Sequence, residues 1–360
     1  MRPRLFLFGA VALYVAMTVS MNGTASQSQP AAQPPNSGLT AVPGLKVGHH
    51  TLSERPTGCT VILAEKGAIG GVDVRGAAPG TRETDLLNPV NTVERVNAIV
   101  LSGGSAFGLD AASGVMRYLE ERKIGYPTAV IPVPIVPAAI LFDLGVGDNP
   151  RIRPTADCGY RAASAASDGP VAEGNVGAGA GATIGKLGGP RRAMKSGIGT
   201  ASYTTADGTI IAALVAVNAV GDVIDPATGR VIAGVRTPDG TSLADARKLL
   251  HSPDFKLPSR HPAENTTIGV VATNARLTKA QATRLAQMAQ DGIARAVYPA
   301  HTVADGDTIF ALATGERQDA GDFSTLGVFA ADVVAQAIVR AAEQATGIPG
   351  YPAARDLGKR

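Results

Sequence analysis

Three observations predict a layered α+β domain. Short apolar runs are bounded by Gly, Asp or Asn, longer runs with helical periodicity lie between them, and regular βαβ spacing is missing. The strand-like runs are Ala98–Leu101, Thr209–Val217, Ile268–Thr273 and Thr308–Ala313, each short and apolar enough for burial in a sheet. From Ala106 to Lys123, apolar residues recur at Leu109, Ala112, Met116 and Leu119, which predicts a helix. A second helix starts at Thr278, where Thr278-Lys279-Ala280-Gln281 reads as a capping box, and its apolar face carries Leu285, Met288, Ala289 and Ile293. A third is expected from Val328 to Thr346.

The ends and the charge narrow the setting. Met1-Arg2-Pro3-Arg4 followed by the apolar run Leu5–Val19 and the small residues Gly23-Thr24-Ala25 reads as a signal peptide over 1–25, too short for a membrane span. Residues 26–37 (SQSQPAAQPPNS) form a polar, Pro-rich linker. A single domain is expected over 38–360. Loss of residues 1–25 removes two arginines and no acid, which takes the formal charge from +3 to +1. With no dense Lys/Arg block, nothing marks a nucleic-acid partner, and no membrane insertion is expected after signal cleavage. Cys59 and Cys158 read as buried small hydrophobes; export would permit a disulfide, but two cysteines make no framework.

Several motifs fall short of known chemistry. Gly177–Lys186 (GAGAGATIGK) resembles a phosphate loop, but Ala180 and Leu187 stand where the pattern needs Gly and Ser or Thr. Ser102–Gly108 approaches a nucleophile elbow, yet Phe107 occupies a required Gly position, and a Gly-rich turn opening a helix fits better. The five histidines, His49, His50, His251, His261 and His301, show no metal-ligand spacing. No metal or organic cofactor is expected.

The informative segment is Glu264-Asn265-Thr266-Thr267-Ile268, where the polar connection Pro253–Glu264 enters an apolar strand. Attack of the Thr266 hydroxyl on the Asn265 carbonyl, then hydrolysis, would expose Thr266 as a new N-terminus. Its α-amine, with a reference pKa near ~8, would take the hydroxyl proton, so nucleophile and base would share one residue. The same residues also read as an ordinary strand start, and Asn265-Thr266-Thr267 is a glycosylation sequon.

The chain resembles the L-aminopeptidase/D-esterase (DmpA) family of self-cleaving N-terminal-nucleophile hydrolases, which includes β-aminopeptidases and nylon-oligomer (6-aminohexanoate-oligomer) endohydrolases. The matching segments are Leu39–His49 (LTAVPGLKVGH), Leu101–Leu109 (LSGGSAFGL), Ala172–Gly179 (AEGNVGAG), Val215–Gly221 (VAVNAVG) and His301–Thr308 (HTVADGDT). The resemblance implies an αββα sandwich, cut between Asn265 and Thr266 into an α subunit (38–265) and a β subunit (266–360). It also implies a homo-oligomer of αβ heterodimers acting on small peptides, aminoacyl amides or amide oligomers. Thr266, with five residues between it and the Ala272-Thr273-Asn274-Ala275 segment, takes the nucleophile's position in preference to Thr267, and Asn218 that of the oxyanion donor. Lys186 takes that of a lysine which lowers the amine's pKa and holds Asp307. Asp305 and Asp307 take those of acids that orient the α-ammonium and Lys186. Read without the family, Asn218 is a turn cap, Lys186 a solvated loop charge and the two Asp an acidic turn. Asn-Thr-Thr and Asp-Gly-Asp-Thr match the nylon-hydrolase branch, but Phe142 replaces that branch's Tyr before Asp143. Acyl transfer of the ornithine acetyltransferase type and a non-catalytic exported binding protein are the rival expectations.

Overall fold

The computed structural model describes residues 38–253, 255, 264–318 and 321–357. The N-terminal apolar run, the linker after it and most of the Pro253–Glu264 connection lie outside the described residues. Fourteen strands are described: β1 (Lys46–Thr51), β2 (Gly58–Val74), β3 (Thr81–Arg82), β4 (Arg95–Ser102), β5 (Ala138–Ile140), β6 (Thr183–Ile184), β7 (Met194–Lys195), β8 (Ile198–Thr204), β9 (Ile210–Asn218), β10 (Asp222–Ile224), β11 (Val231–Ala233), β12 (Thr266–Ala275), β13 (Val297–Tyr298) and β14 (Thr308–Arg317). The helices are α1 (Ala111–Glu120), α2 (Ala156–Ser164), α3 (Ala246–Leu250), α4 (Lys279–Ala296) and α5 (Phe323–Gln344).

Nine strands join in the order β3-β5-β4-β2-β14-β12-β9-β8, with β1 also on β2. Alternate residues of each central strand face opposite ways, and here both faces are apolar. Ala212, Leu214 and Ala216 of β9, Ile268, Val270 and Ala272 of β12, and Phe310 and Leu312 of β14 meet Ile62 of β2 and Ile99 and Leu101 of β4 in one inner core. On the outside, Val215, Val217, Val271 and Ile309 pack under α4 and α5. Val61, Leu63, Ala98 and Val100 pack under α1 and α2. The result is helices, sheet, core, sheet, helices: the αββα sandwich. The long strand β2 links the two sheet halves. Its first part pairs with β1 and β4 and its last part with β14. The pairing shifts register between Leu63 and Ala68, where the polar Glu65 and Lys66 precede Gly67 at φ 76°.

Three of the four expected strands fall inside β4, β12 and β14, and the fourth matches β9 except that Thr209 lies one residue before it. The capping box at Thr278 is formed, with Thr278 accepting from the Gln281 amide and Gln281 reaching back. Two helix boundaries differ. Gly104 (φ 86°) and Ser105 (φ 54°) are left-handed, and they lead into a 3-10 turn over Ser105–Asp110 before α1 begins at Ala111. α5 begins earlier than expected, at Phe323, because Asp322 caps the Ser324 and Thr325 amides.

Cys59 and Cys158 are buried, as expected of small apolar residues, but they are also bonded to each other. The disulfide ties the start of β2 to α2, with Cα atoms 6.2 Å apart, and spans 99 residues of chain. A cross-link closing a loop of that size removes much unfolded-chain entropy. Replacing both cysteines by alanine is expected to lower unfolding free energy by about 2–5 kcal/mol in a denaturant titration. An unchanged midpoint would show that the cross-link contributes nothing.

Candidate active site

β12 is inserted between two partners. On one side it runs antiparallel to β9, with Thr266 opposite Asn218 and Thr267 opposite Val217. On the other it runs parallel to β14, and a further bridge joins Asn265 to Asp305. This pairing gathers Asn265, Thr266 and Thr267 between Asn218 and the Asp305–Asp307 turn. All six of these polar side chains are buried.

Buried polar groups must be hydrogen-bonded or they destabilise the fold. The Thr266 hydroxyl donates to the carbonyl oxygen of Asn265 at 2.5 Å. The same oxygen accepts the Gly306 amide at 2.9 Å. Asn218 Oδ1 accepts from the Thr183 amide (3.0 Å) and Lys186 Nζ (2.8 Å), while its Nδ2 donates to Phe142 O (2.9 Å) and Glu264 O (3.4 Å). Asn218 is thus the last residue of β9 and no turn cap. Lys186 Nζ also donates to Asn218 O (2.8 Å) and Glu264 O (3.2 Å), so it is woven into the site and not a solvated loop charge.

The two aspartates do different things. Asp307 Oδ1 accepts the Thr267 amide at 2.7 Å, and Oδ2 accepts the His301 amide at 3.1 Å and lies 2.9 Å from His301 Nδ1. Asp307 thus clamps the backbone on either side of the site and the His301 ring. Asp305 Oδ2 accepts the Thr302 amide at 2.7 Å, whereas Oδ1 has no hydrogen-bond partner among the described residues. Burial, and then the charge of Asp307, push the Asp305 carboxyl up to about 6; the Thr302 hydrogen bonds and the Lys186 charge pull the other way. Sequence reasoning weighed His301 only as a metal ligand. Burial alone would lower its pKa, but its hydrogen bond to Asp307 and the charge of that carboxylate leave it raised.

The Gly-rich run is scaffold. Its amides are consumed internally: Gly177 by Thr51 Oγ, Ala178 by Thr60 Oγ, Thr183 by Asn218 and Gly185 by the Gly221 carbonyl. A phosphate loop needs such amides turned toward a ligand. Lys195, fully buried, donates to the Gly179 and Ala182 carbonyls at 3.0 Å each and to the Ser196 carbonyl. Behind Phe142, Asp143 is locked by Arg55 (2.7 Å), Thr57 (2.6 Å) and the Gly104 amide (2.9 Å). A cleft of about 290 Å³ opens beside Glu264, walled by Phe142, Val146, Pro190 and Tyr351 with Thr183 and Lys186 at its inner side.

Peptidase family S58 matches residues 37–355. The chain belongs to that family. An uncharacterized aminopeptidase of Mycobacterium leprae is 46% identical over 354 residues, covering 88% of this chain and 94% of that one. A 6-aminohexanoate-oligomer endohydrolase of Kocuria sp. is 31% identical over 312 residues, covering 84% of each. The solved L-aminopeptidase D-Ala-esterase/amidase of Ochrobactrum anthropi, described as a variant of the Ntn hydrolase fold, superposes with a TM-score of 0.67 at 21% identity, covering 89% of this chain and 91% of that one. This S58 protein is a hydrolase of peptide or amide bonds on an Ntn-type α+β sandwich.

The raised Asp305 carboxyl has a consequence for stability. It holds its proton to about pH 6 when folded, against an ordinary 3.8. The folded state then binds more protons between those values, so this contribution is full below 3.8 and is lost as pH rises through 6. In a Thr266→Ala background, Asp305→Asn should lose less stability than its Thr266→Ala parent between pH 4 and pH 7 in urea titrations. Asp222, also raised to about 6 by burial, contributes to both proteins and cancels. Identical pH slopes would show that Asp305 keeps an ordinary pKa.

Proposed function

We propose that this S58 hydrolase processes itself between Asn265 and Thr266 and that Thr266 then serves as an N-terminal nucleophile. The observation that carries the reading is the Thr266 hydroxyl, buried at the strand start against the carbonyl of the residue before it. Once freed, the α-amine can accept the hydroxyl proton near neutral pH. Lys186, close by, lowers the amine's pKa by like charge. Asp305 orients the α-ammonium, and Asp307 fixes the backbone one residue on through the Thr267 amide. Thr266 Oγ attacks the substrate carbonyl, Asn218 Nδ2 donates to the oxyanion, the amine hands its proton to the leaving nitrogen, and water resolves the acyl-enzyme.

The substrates are small peptides, aminoacyl amides or amide oligomers. The apolar walls of the neighbouring cleft suit an aliphatic chain between amides, in keeping with the oligomer named for the Kocuria relative. We place the enzyme outside the cytoplasm. The basic-then-apolar N-terminal segment and the Cys59–Cys158 disulfide both support export to an oxidising compartment.

Purified protein should run as two fragments, the smaller beginning Thr266-Thr267-Ile268. Thr266→Ala should remain one chain without hydrolytic activity, because one hydroxyl serves both steps. Thr266→Ser keeps the hydroxyl and loses only the methyl that restricts χ1, so some of each step should survive. An uncut Thr266→Ala protein that hydrolyses aminoacyl nitroanilides at the wild-type rate would sink the reading. Asn218→Ala should lower kcat by about 100- to 1000-fold, as for loss of one oxyanion donor. A fall of less than ~10-fold would remove Asn218 from turnover.

A further inference from the structure

Two carbonyls enter the site from the segment before β12, and different donors hold them. Glu264 O accepts from Asn218 Nδ2 (3.4 Å) and Lys186 Nζ (3.2 Å). Asn265 O accepts from the Gly306 amide (2.9 Å) and the Thr266 hydroxyl (2.5 Å). Asn218 spends its second donor on Phe142 O (2.9 Å). The side-chain donor assigned to turnover is therefore directed at the wrong carbonyl for self-cleavage, and a backbone amide stands at the right one.

The Gly306 amide is fixed in place. The Asn265–Asp305 bridge aligns it, and the carbonyls on either side are taken, Asp305 O by the Ala78 amide (2.9 Å) and Asp307 O by the Arg75 amide (3.0 Å). Residue 306 also has no room for a side chain. A Cβ there would lie 2.6 Å from Ala78 O and 3.2 Å from Thr266 Oγ. Glycine lets the backbone come within reach of the reacting hydroxyl.

Building on the self-processing reading above, we propose that the Gly306 amide is the oxyanion donor of self-cleavage and that Asn218 acts in turnover alone. In the first step Thr266 Oγ bonds to the Asn265 carbonyl carbon. The carbonyl oxygen takes up negative charge against the Gly306 N–H, the bond to the Thr266 nitrogen breaks, and the Oγ proton ends on that nitrogen. Water then cleaves the ester, leaving the Asn265 carboxylate and a free Thr266 hydroxyl and amine. A preorganised backbone donor suits this reaction because the carbonyl it serves belongs to the same chain and is already held in register. One hydroxyl thus performs two acyl reactions with two different donors.

The full-length chain made by cell-free translation separates the two donors. Asn218→Asp keeps the acceptor for Thr183 and Lys186 but removes the NH2, and Asn218→Ala removes both. The expected result is conversion to two fragments at a rate within an order of magnitude of wild type, with turnover by the matured variants down by about 100- to 1000-fold. Processing that slows in both variants as much as turnover would overturn the proposal. As a complementary arm, Gly306 is replaced by glycolic acid through nonsense suppression, which swaps the N–H for an ester oxygen. A variant with wild-type circular dichroism should process about 100-fold more slowly. One that folds and cuts at the wild-type rate would overturn the proposal. Wild-type chain that never cuts would instead remove the self-processing reading beneath it.

Discussion

The double pairing of β12 is the constraint on which the site depends. Its antiparallel partner β9 ends at Asn218, and its parallel partner β14 is preceded by the Asp305–Asp307 turn. A one-residue slip of β12 against β9 would exchange its Ile268, Val270, Ala272 face for the opposite one. Both faces are packed in separate cores, so the slip would disturb both. The hydrophobic core and the chemistry therefore share one register. Thr266 meets Asn218 because Val270 and Val271 each have a place to be buried.

Around that register the polar framework is built from groups that hold backbone. Asp307 clamps the Thr267 amide and the Asn218 side chain accepts the Thr183 amide. Lys195 is the extreme case. Burial lowers its pKa to about 7, yet three backbone carbonyls around its ammonium match its three N–H donors. These three bonds pin the Gly177–Ala182 turn that delivers Thr183 and Lys186 to Asn218. The buried Arg55–Asp143 pair does the same for the wall behind Phe142, with Arg55 also binding the Asp143, Val146 and Ile152 carbonyls.

What could be read in the sequence follows from how each element announces itself. β9, β12 and β14 are apolar on both faces, which leaves continuous runs, and α4 carries its capping box in its first residues. β2 escaped notice because Glu65, Lys66 and Gly67 interrupt it in mid-strand, where the chain bends from one sheet half to the other. Thr266, Asn218, Lys186, Asp305 and Asp307 were legible through a family resemblance, and the structure brings them together. Their individual partners were not legible. The Gly306 amide is a backbone group with no side-chain signal, and His301 meets Asp307 from a left-handed backbone position, φ 54°, that no sequence pattern marks. The Cys59–Cys158 bond joins elements far apart in sequence, and two cysteines alone do not declare whether they pair.

Three of the buried polar atoms without hydrogen-bond partners among the described residues lie at the proposed cut. Asn265 Oδ1, Thr267 Oγ and Asp305 Oδ1 are all buried there, and each such group costs about 1–3 kcal/mol when unpaired. The site is therefore a costly place in the uncut fold, with two carboxylates near one another and a neutral peptide bond between them and Asn218. In the proposed reaction, cleavage changes that balance. It would create an ammonium at Thr266 beside Asp305, so an acid raised by burial and then by the Asp307 charge would acquire a counter-charge. The same acid then has reason to ionise, and its free Oδ1 becomes an acceptor for the new N–H groups. In that reaction, processing would convert the cost of burying Asp305 into an ion pair that orients the nucleophile.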